Sequence, residues 1–278
     1  MVIFPKSFLM KKLISKAFKI CAVLFLSIFV FLYMFQEKLI FFPQKLSKDY
    51  QFSFDLPFEE INIRTDDQVS LNGLLFKAGN SKGLIYYLHG NGGSLESWGH
   101  VAKTYTDLQY DVFMLDYRGY GKSEGSISSQ DQMFEDVQIV YDELKTKYRE
   151  DQIIVLGYSI GTGLASKVAS DNNPKLLILQ APYFNLVDLV NHMGFPFSII
   201  PTFIIRYKFE TNVYIKNCKM PVVIFHGDAD RVIYHASSFK LKELIKDGDT
   251  LIILKGQGHN GMSENDEYKR RIREILKG

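Results

Sequence analysis

The residues best suited to chemistry lie in the second half of the chain. Gly157-Tyr158-Ser159-Ile160-Gly161 has G-x-S-x-G spacing, follows the apolar run Ile153–Leu156 and leads into Leu164-Ala165-Ser166. A strand that turns sharply into a helix at such a serine lifts the hydroxyl clear of a sheet, and Gly157 and Gly161 are needed because side chains there would collide. Ser159 is therefore the expected nucleophile, with a helix start behind it that favours developing negative charge. A serine hydroxyl is a weak nucleophile at neutral pH and needs a base; after a turn of this kind an acid and then a histidine follow in chain order. That order excludes His89 and His100. His192 falls in an irregular insertion, His235 opens a helix, and His226 at a strand end reads as structural. His259 lies in Lys255-Gly256-Gln257-Gly258-His259-Asn260-Gly261, a glycine-rich loop from which an imidazole can reach Ser159. Two carboxylates, Asp228 and Asp230, follow the run Val222–Gly227. Asp228, nearer the strand end, suits capping of backbone N–H groups. Asp230 is preferred as the acid that holds the imidazole tautomer without taking its proton.

Leu88-His89-Gly90-Asn91-Gly92-Gly93-Ser94 supplies small residues that let backbone N–H groups face a tetrahedral intermediate. The expected oxyanion donors are the amides of Asn91 and Ile160, with His89 and Gly90 shaping the loop. Loss of such a donor costs about 2.7–4 kcal/mol of transition-state stabilisation. Gly121-Lys122-Ser123 has the ending of a phosphate loop, but Asp116 stands where the required earlier glycine would be. The six histidines and two cysteines show no metal-ligand spacing, so metal-free, cofactor-free catalysis is expected. Cys21 and Cys218 are not placed for a structural disulfide.

The rest of the chain must position these groups. From about Phe58 it alternates apolar runs with amphipathic stretches. Strands are predicted at Glu60–Arg64, Ser70–Lys77, Gly83–Leu88, Asp111–Tyr117, Gln152–Gly157, Leu176–Gln180, Pro221–His226 and Thr250–Lys255. Helices are predicted at Leu95–Leu108, Asp131–Tyr148, Ile160–Ser170, His235–Lys246 and Asn265–Leu276. The rhythm implies a mostly parallel sheet of eight strands with helices on both faces. Residues 182–218 break it and read as a small helical cap whose apolar residues (Phe184, Leu186, Phe195, Phe197, Ile199, Ile200, Phe203, Ile204) suit an acyl chain, or merely pack the cap on the sheet.

Residues Ile20–Phe35 form an apolar stretch that would span roughly 24 Å as a helix. The following Gln36-Glu37-Lys38-Leu39 offers no small-x-small cleavage site, so residues 1–43 are expected to be an uncleaved membrane anchor and 44–57 a linker to a hydrolase domain at 58–278. Five lysines (Lys6, Lys11, Lys12, Lys16, Lys19) precede the first acidic residue, Glu37. They predict a single-pass helix with its N-terminus cytoplasmic and the body on the opposite side, periplasmic or extracellular in a bacterial cell. The net charge is +2, and without those lysines the body is slightly acidic, which excludes a phosphate-backbone footprint and nucleic acid as partner.

Taken together, His89-Gly90-Asn91-Gly92-Gly93, Asp116-Tyr117-Arg118-Gly119-Tyr120-Gly121-Lys122-Ser123, Gly157–Gly161, His226-Gly227-Asp228-Ala229-Asp230 and Gly258-His259 resemble the α/β-hydrolase superfamily. Within it the chain is similar to Bem46-like and ABHD-type serine hydrolases and to sequences described as serine aminopeptidase-like, many with an N-terminal membrane segment followed by a sequence like Phe41-Phe42-Pro43. The resemblance implies the α/β-hydrolase fold, Ser159, Asp230 and His259 as triad, Asp230 over Asp228, and a structural role for Asp116–Ser123, with Arg118 tying its loop. The expected activity is hydrolysis of acyl or lipid esters through an acyl-enzyme, falling on acidification as His259 is protonated. Aminopeptidase, amidase or thioesterase activity, and a non-catalytic membrane-tethered binding protein, are the alternatives.

Overall fold

The computed structural model describes residues 6–195, 197 and 200–277. In chain order the elements are α1 (Lys6–Met34), α2 (Gln36–Ile40), β1 (Phe42–Pro43), β2 (Phe58–Arg64), β3 (Ser70–Phe76), β4 (Leu84–Leu88), β5 (Gly92–Gly93), α3 (Leu95–Trp98), α4 (Lys103–Thr106), β6 (Asp111–Leu115), α5 (Gln130–Lys145), β7 (Ile153–Tyr158), α6 (Gly161–Asp171), β8 (Leu176–Gln180), α7 (Leu186–His192), α8 (Thr211–Tyr214), β9 (Val222–Gly227), α9 (Ala236–Lys242), β10 (Thr250–Leu254) and α10 (Asp266–Lys277). The main sheet has the order β10-β9-β8-β7-β4-β6-β3-β2, antiparallel at β2–β3 and β3–β6 and parallel elsewhere. All eight strands of this sheet coincide with strands read from the sequence; the inner ones are apolar runs because strands covered on both faces cannot carry exposed polar positions, while the edge strand β2 keeps exposed Glu59, Glu60 and Arg64.

Alternation along the strands builds two core layers. On β4, Leu84, Tyr86 and Leu88 pack on one face with Met133, Val137 and Leu144 of α5 and Leu164 and Val168 of α6. Ile85 and Tyr87 face the other layer, with Tyr105, Tyr268, Ile272 and Leu276. The buried residues of α5 and α10 recur every three or four positions, the spacing of one helix face. The helix expected over Leu95–Leu108 is broken instead into α3, a 3-10 turn at Gly99–Ala102, and α4. The ring of Phe54 occupies the place a Cβ at Gly99 would need, so only glycine fits at that position.

α1 extends well before the apolar run. Its residues Met10–Met34 are long and apolar enough to cross a membrane by length and composition, and none of that stretch is buried in the protein. Residues 44–57, expected to be a linker, lie along the body: Phe52, Phe54 and Leu56 pack on the second core layer, and β1 pairs in parallel with β5. In the cap, Leu186 and Ile204 are buried and Phe184 packs on the core, whereas Phe195, Phe197 and Phe203 are exposed. Ile199 lies outside the described residues.

Candidate active site

The site forms at the carboxyl ends of β4, β7, β9 and β10. Ser159 follows β7 with φ +53°, a left-handed backbone that is costly for a residue with a Cβ. The turn is held from several sides. The Ser159 N–H donates to Gln180 O (2.9 Å), and the N–H and hydroxyl of Thr162 both donate to Ser159 O (2.9 and 2.6 Å). A Cβ on Gly157 would meet Gly161 O, the Ala165 Cβ and the Thr162 Cα, and one on Gly161 would run into the carbonyl oxygens of Leu88 and His89. Glycine at these two places is thus a packing requirement of the turn.

His259 reaches this serine from the loop after β10. Its Nε2 lies 3.0 Å from Ser159 Oγ, and its Nδ1 lies 2.7 Å from Asp230 Oδ2. The ionised carboxylate has no proton to give, so Nδ1 carries the hydrogen and the Nε2 lone pair faces the serine. Asp230 Oδ1 accepts from the N–H groups of Val232 and Ile233 (2.8 and 2.9 Å). Burial pushes the Asp230 carboxyl up, but hydrogen bonds from His226 and His259, the His259 charge and the Ile233 N–H outweigh it and hold the group below the usual carboxylate range. Asp228 points elsewhere: its Oδ1 accepts from Gly256 N–H (2.6 Å) and joins the β9 and β10 loops.

Two supporting groups were not assigned a part in this arrangement from the sequence. His226, read there only as structural, sits 3.3 Å from Asp230 Oδ2 through Nε2, which also faces Ile233 O at 2.9 Å. With two acceptors at Nε2, that nitrogen bears the hydrogen and Nδ1 accepts from Ser238 (2.6 Å). The Tyr158 hydroxyl donates to His259 O (2.5 Å) and fixes the His259 backbone. The signal for both was adjacency, to the strand that leads to Asp230 and to Ser159.

The loop after β4 completes the site. His89 is fully buried beside the rings of Tyr117 and Trp98, with centroids 4.4 and 5.7 Å away, and its Nδ1 lies 2.7 Å from Gly90 O. Tyr117 donates to His89 O (2.8 Å), Tyr120 to Asn91 O (2.6 Å) and Trp98 Nε1 to Gly92 O (2.8 Å), so three aromatic side chains hold the loop by its carbonyls. The carbonyls are engaged while the N–H groups of Asn91 and Ile160 have no acceptor among the described residues. Gly90 packs against Trp98 and Tyr158, where a Cβ would come within about 3 Å of both rings. Beneath the loop, Asp116 Oδ1 accepts from Leu95 N–H (3.0 Å) and lies 3.8 Å from His89 Nε2. Burial pushes Asp116 up to about 8, against the Leu95 hydrogen bond, and His89 down to about 4, against its backbone hydrogen bonds. Arg118 forks between Asp136 (2.6 and 2.8 Å) and Asp67 (2.7 and 2.8 Å), tying its loop to α5 and the β2–β3 turn.

A family profile described as "Serine aminopeptidase, S33" matches residues 79–211, a stretch that holds Ser159 but neither Asp230 nor His259. Protein bem46 of Schizosaccharomyces pombe is 29% identical over 218 residues, 73% of this chain and 72% of that protein. Lysophosphatidylserine lipase ABHD12 of Gallus gallus is 29% identical over 192 residues, 62% of this chain; the chain spans about half of that protein's length (49%). The esterase Pf2001 of Pyrococcus furiosus superposes with a TM-score of 0.68 at 20% identity, covering 86% of this chain and 97% of that one. The chain has the α/β-hydrolase fold and is similar to hydrolases of the Bem46-like and ABHD type.

Proposed function

We propose that this hydrolase cleaves carboxylic esters of acyl chains through a Ser159–His259–Asp230 triad and an acyl-enzyme. The observation that carries the reading is the continuous chain Ser159 Oγ, His259 Nε2, His259 Nδ1, Asp230 Oδ2, with links of 3.0 and 2.7 Å at a strained turn. His259 Nε2 takes the Ser159 proton as Oγ bonds to the ester carbonyl carbon. The resulting oxyanion accepts from the Asn91 and Ile160 amides, which no protein acceptor among the described residues occupies. On collapse the C–O bond to the alcohol breaks and the alcohol leaves with the imidazolium proton; water then repeats the sequence to release the acid. The lipase and esterase names of the similar proteins support an ester over other acyl donors. The aminopeptidase description of the matching profile favours one second reading, amide hydrolysis by the same triad.

We further propose that α1 is a membrane anchor, with residues 44–57 the connection to a hydrolase domain at 58–278 that carries its cap at about 182–218. Lysines before the span support an N-terminus in the cytoplasm and the body across the membrane. The test is a panel of esters graded by acyl length, with matched aminoacyl amides, run on wild type and Ser159→Ala. Ester turnover abolished by the substitution is the expected result, together with fluorophosphonate labelling of wild type alone. Preference for the amides would replace the ester reading. A folded wild type that neither labels nor turns over would refute catalysis.

A further inference from the structure

The base of α1 is clamped to the cap. Gln36, buried at the start of α2, donates from Nε2 to Ile204 O (2.6 Å) and accepts at Oε1 from Arg206 N–H (2.8 Å). Glu37 pairs with Arg206 (3.0 Å) and accepts from the Tyr207 hydroxyl (2.8 Å), while the Arg206 guanidinium lies 5.5 Å from the centre of the Tyr33 ring. Phe203 is the residue next to Ile204, so its Cα lies about 3.8 Å from the Cα of a clamped residue. It is 83% exposed, and Phe195 in the same cap segment is 82% exposed. Around the helix base, Phe35, Leu39 and Phe42 are exposed as well. Single exposed apolar side chains are ordinary, but Phe35, Leu39, Phe42 and Phe203 at the foot of an uncovered apolar helix mark a face that something covers. Lys38 and Lys208 are exposed among them, and aromatic rings mixed with cations suit the headgroup boundary of a bilayer.

We infer that Phe203 of the cap, with Phe35, Leu39 and Phe42, forms a collar seated in the headgroup region of the bilayer that α1 crosses. The occupant of this face is the phospholipid surface. The collar reaches the site, since Phe42 N–H donates to Asn91 O (3.4 Å) and Gln44 N–H to Gly93 O (2.9 Å). The strand leaving the bilayer is thereby joined to the proposed oxyanion loop, and an ester substrate enters from the leaflet. The inference rests on the anchor reading above.

The experiment uses the full chain in phosphatidylcholine nanodiscs, with acyl chains brominated or not, and reads tryptophan quenching. Phe203→Trp tests the collar, Phe35→Trp the helix base, and Phe239→Trp on α9, 48% exposed in the native residue, a surface outside the collar. Emission of the single native tryptophan, Trp98, is measured on the unsubstituted chain and subtracted. Bromination is expected to remove most of the added emission from Phe203→Trp and Phe35→Trp and to leave Phe239→Trp unchanged. Quenching of Phe35→Trp alone overturns the collar and leaves the anchor standing; no quenching at either position overturns both. A Phe203→Trp emission that is blue-shifted but insensitive to bromine means that a second copy covers the face, and also overturns the inference. So does equal quenching of Phe239→Trp.

Discussion

The carboxyl edge of the sheet and the cap are built on opposite terms. At the edge every loop is fixed from several directions: Ser159 by Gln180 and Thr162, Asp230 by two backbone amides and two histidines, and the β4 loop by Tyr117, Tyr120 and Trp98. Among its described residues the cap between β8 and β9 holds only short helical pieces, and its large side chains divide between those that root it, such as Tyr207 and Phe209, and those left uncovered. A reaction that needs reacting atoms placed to a fraction of an ångström belongs on the first kind of structure, whereas a surface that meets substrate needs no such precision.

The largest expected effect comes from breaking the edge at Asp230. Asp230→Asn keeps the size of the side chain, but its amide can donate toward Nδ1 and favour the wrong imidazole tautomer. Turnover should fall by about 10⁴-fold, measured as kcat on an ester with the fold checked by circular dichroism. Retention of most activity would show that Asp230 does not orient the base. Next in size is a pair of glycine replacements. Gly161→Ala forces a Cβ against two main-chain carbonyls and should cost more than about 3 kcal/mol in a denaturant titration or prevent folding. Gly194→Ala in the cap, where φ is +74° but no atom lies within 4 Å of the added carbon, should cost only the left-handed backbone term, about 1–2 kcal/mol. Equal costs would erase the distinction between the two regions.

A smaller effect concerns the buried His89–Asp116 pair. Asp116 has its ordinary value, 3.8, raised to about 8, and its share of stability is full below 3.8 and lost as pH rises through 8. His89 has its ordinary value, 6.5, lowered to about 4, so its share is full above 6.5 and lost as pH falls through 4. The two trends oppose each other between about 4 and 6.5, where the pair binds one proton in the folded state and one in the unfolded. Between about 6.5 and 8 only the Asp116 trend remains, and thermal stability should drop by about 1–2 kcal/mol. Asp116→Asn should flatten that limb; an unchanged limb would assign it to other groups. The smallest effect is at the cap surface, where Phe203→Ser should alter stability in detergent by under about 0.5 kcal/mol, read as an unshifted melting curve. A larger loss would mean that the ring packs on the protein.

The contrast also explains what could be read from sequence. Covered strands announce themselves as apolar runs and the edge strand β2 by its alternation, so all eight of the main sheet were legible, and loops leaving their carboxyl ends carried Ser159, Asp230 and His259 to one place. The β1–β5 pair was not legible, because two residues in each strand joined through the backbone, two of the four being glycines, leave no side-chain pattern. The need for glycine at position 99 depended on Phe54, far away in sequence, and short cap helices have too few turns to show a period. His226 was visible as a buried strand-end residue, but its closeness to Asp230 follows from how the β9 loop doubles back.

The pairing of Phe42–Pro43 with Gly92–Gly93, and the grip of Gln36 on Ile204 and Arg206, bear on how a detergent-free version should be cut. Trimming at residue 44, where the chain first looks dispensable, would strip a backbone neighbour from the segment holding Asn91 and release the cap's root. Beginning at Phe35 instead would discard the greasy rod yet retain both fastenings.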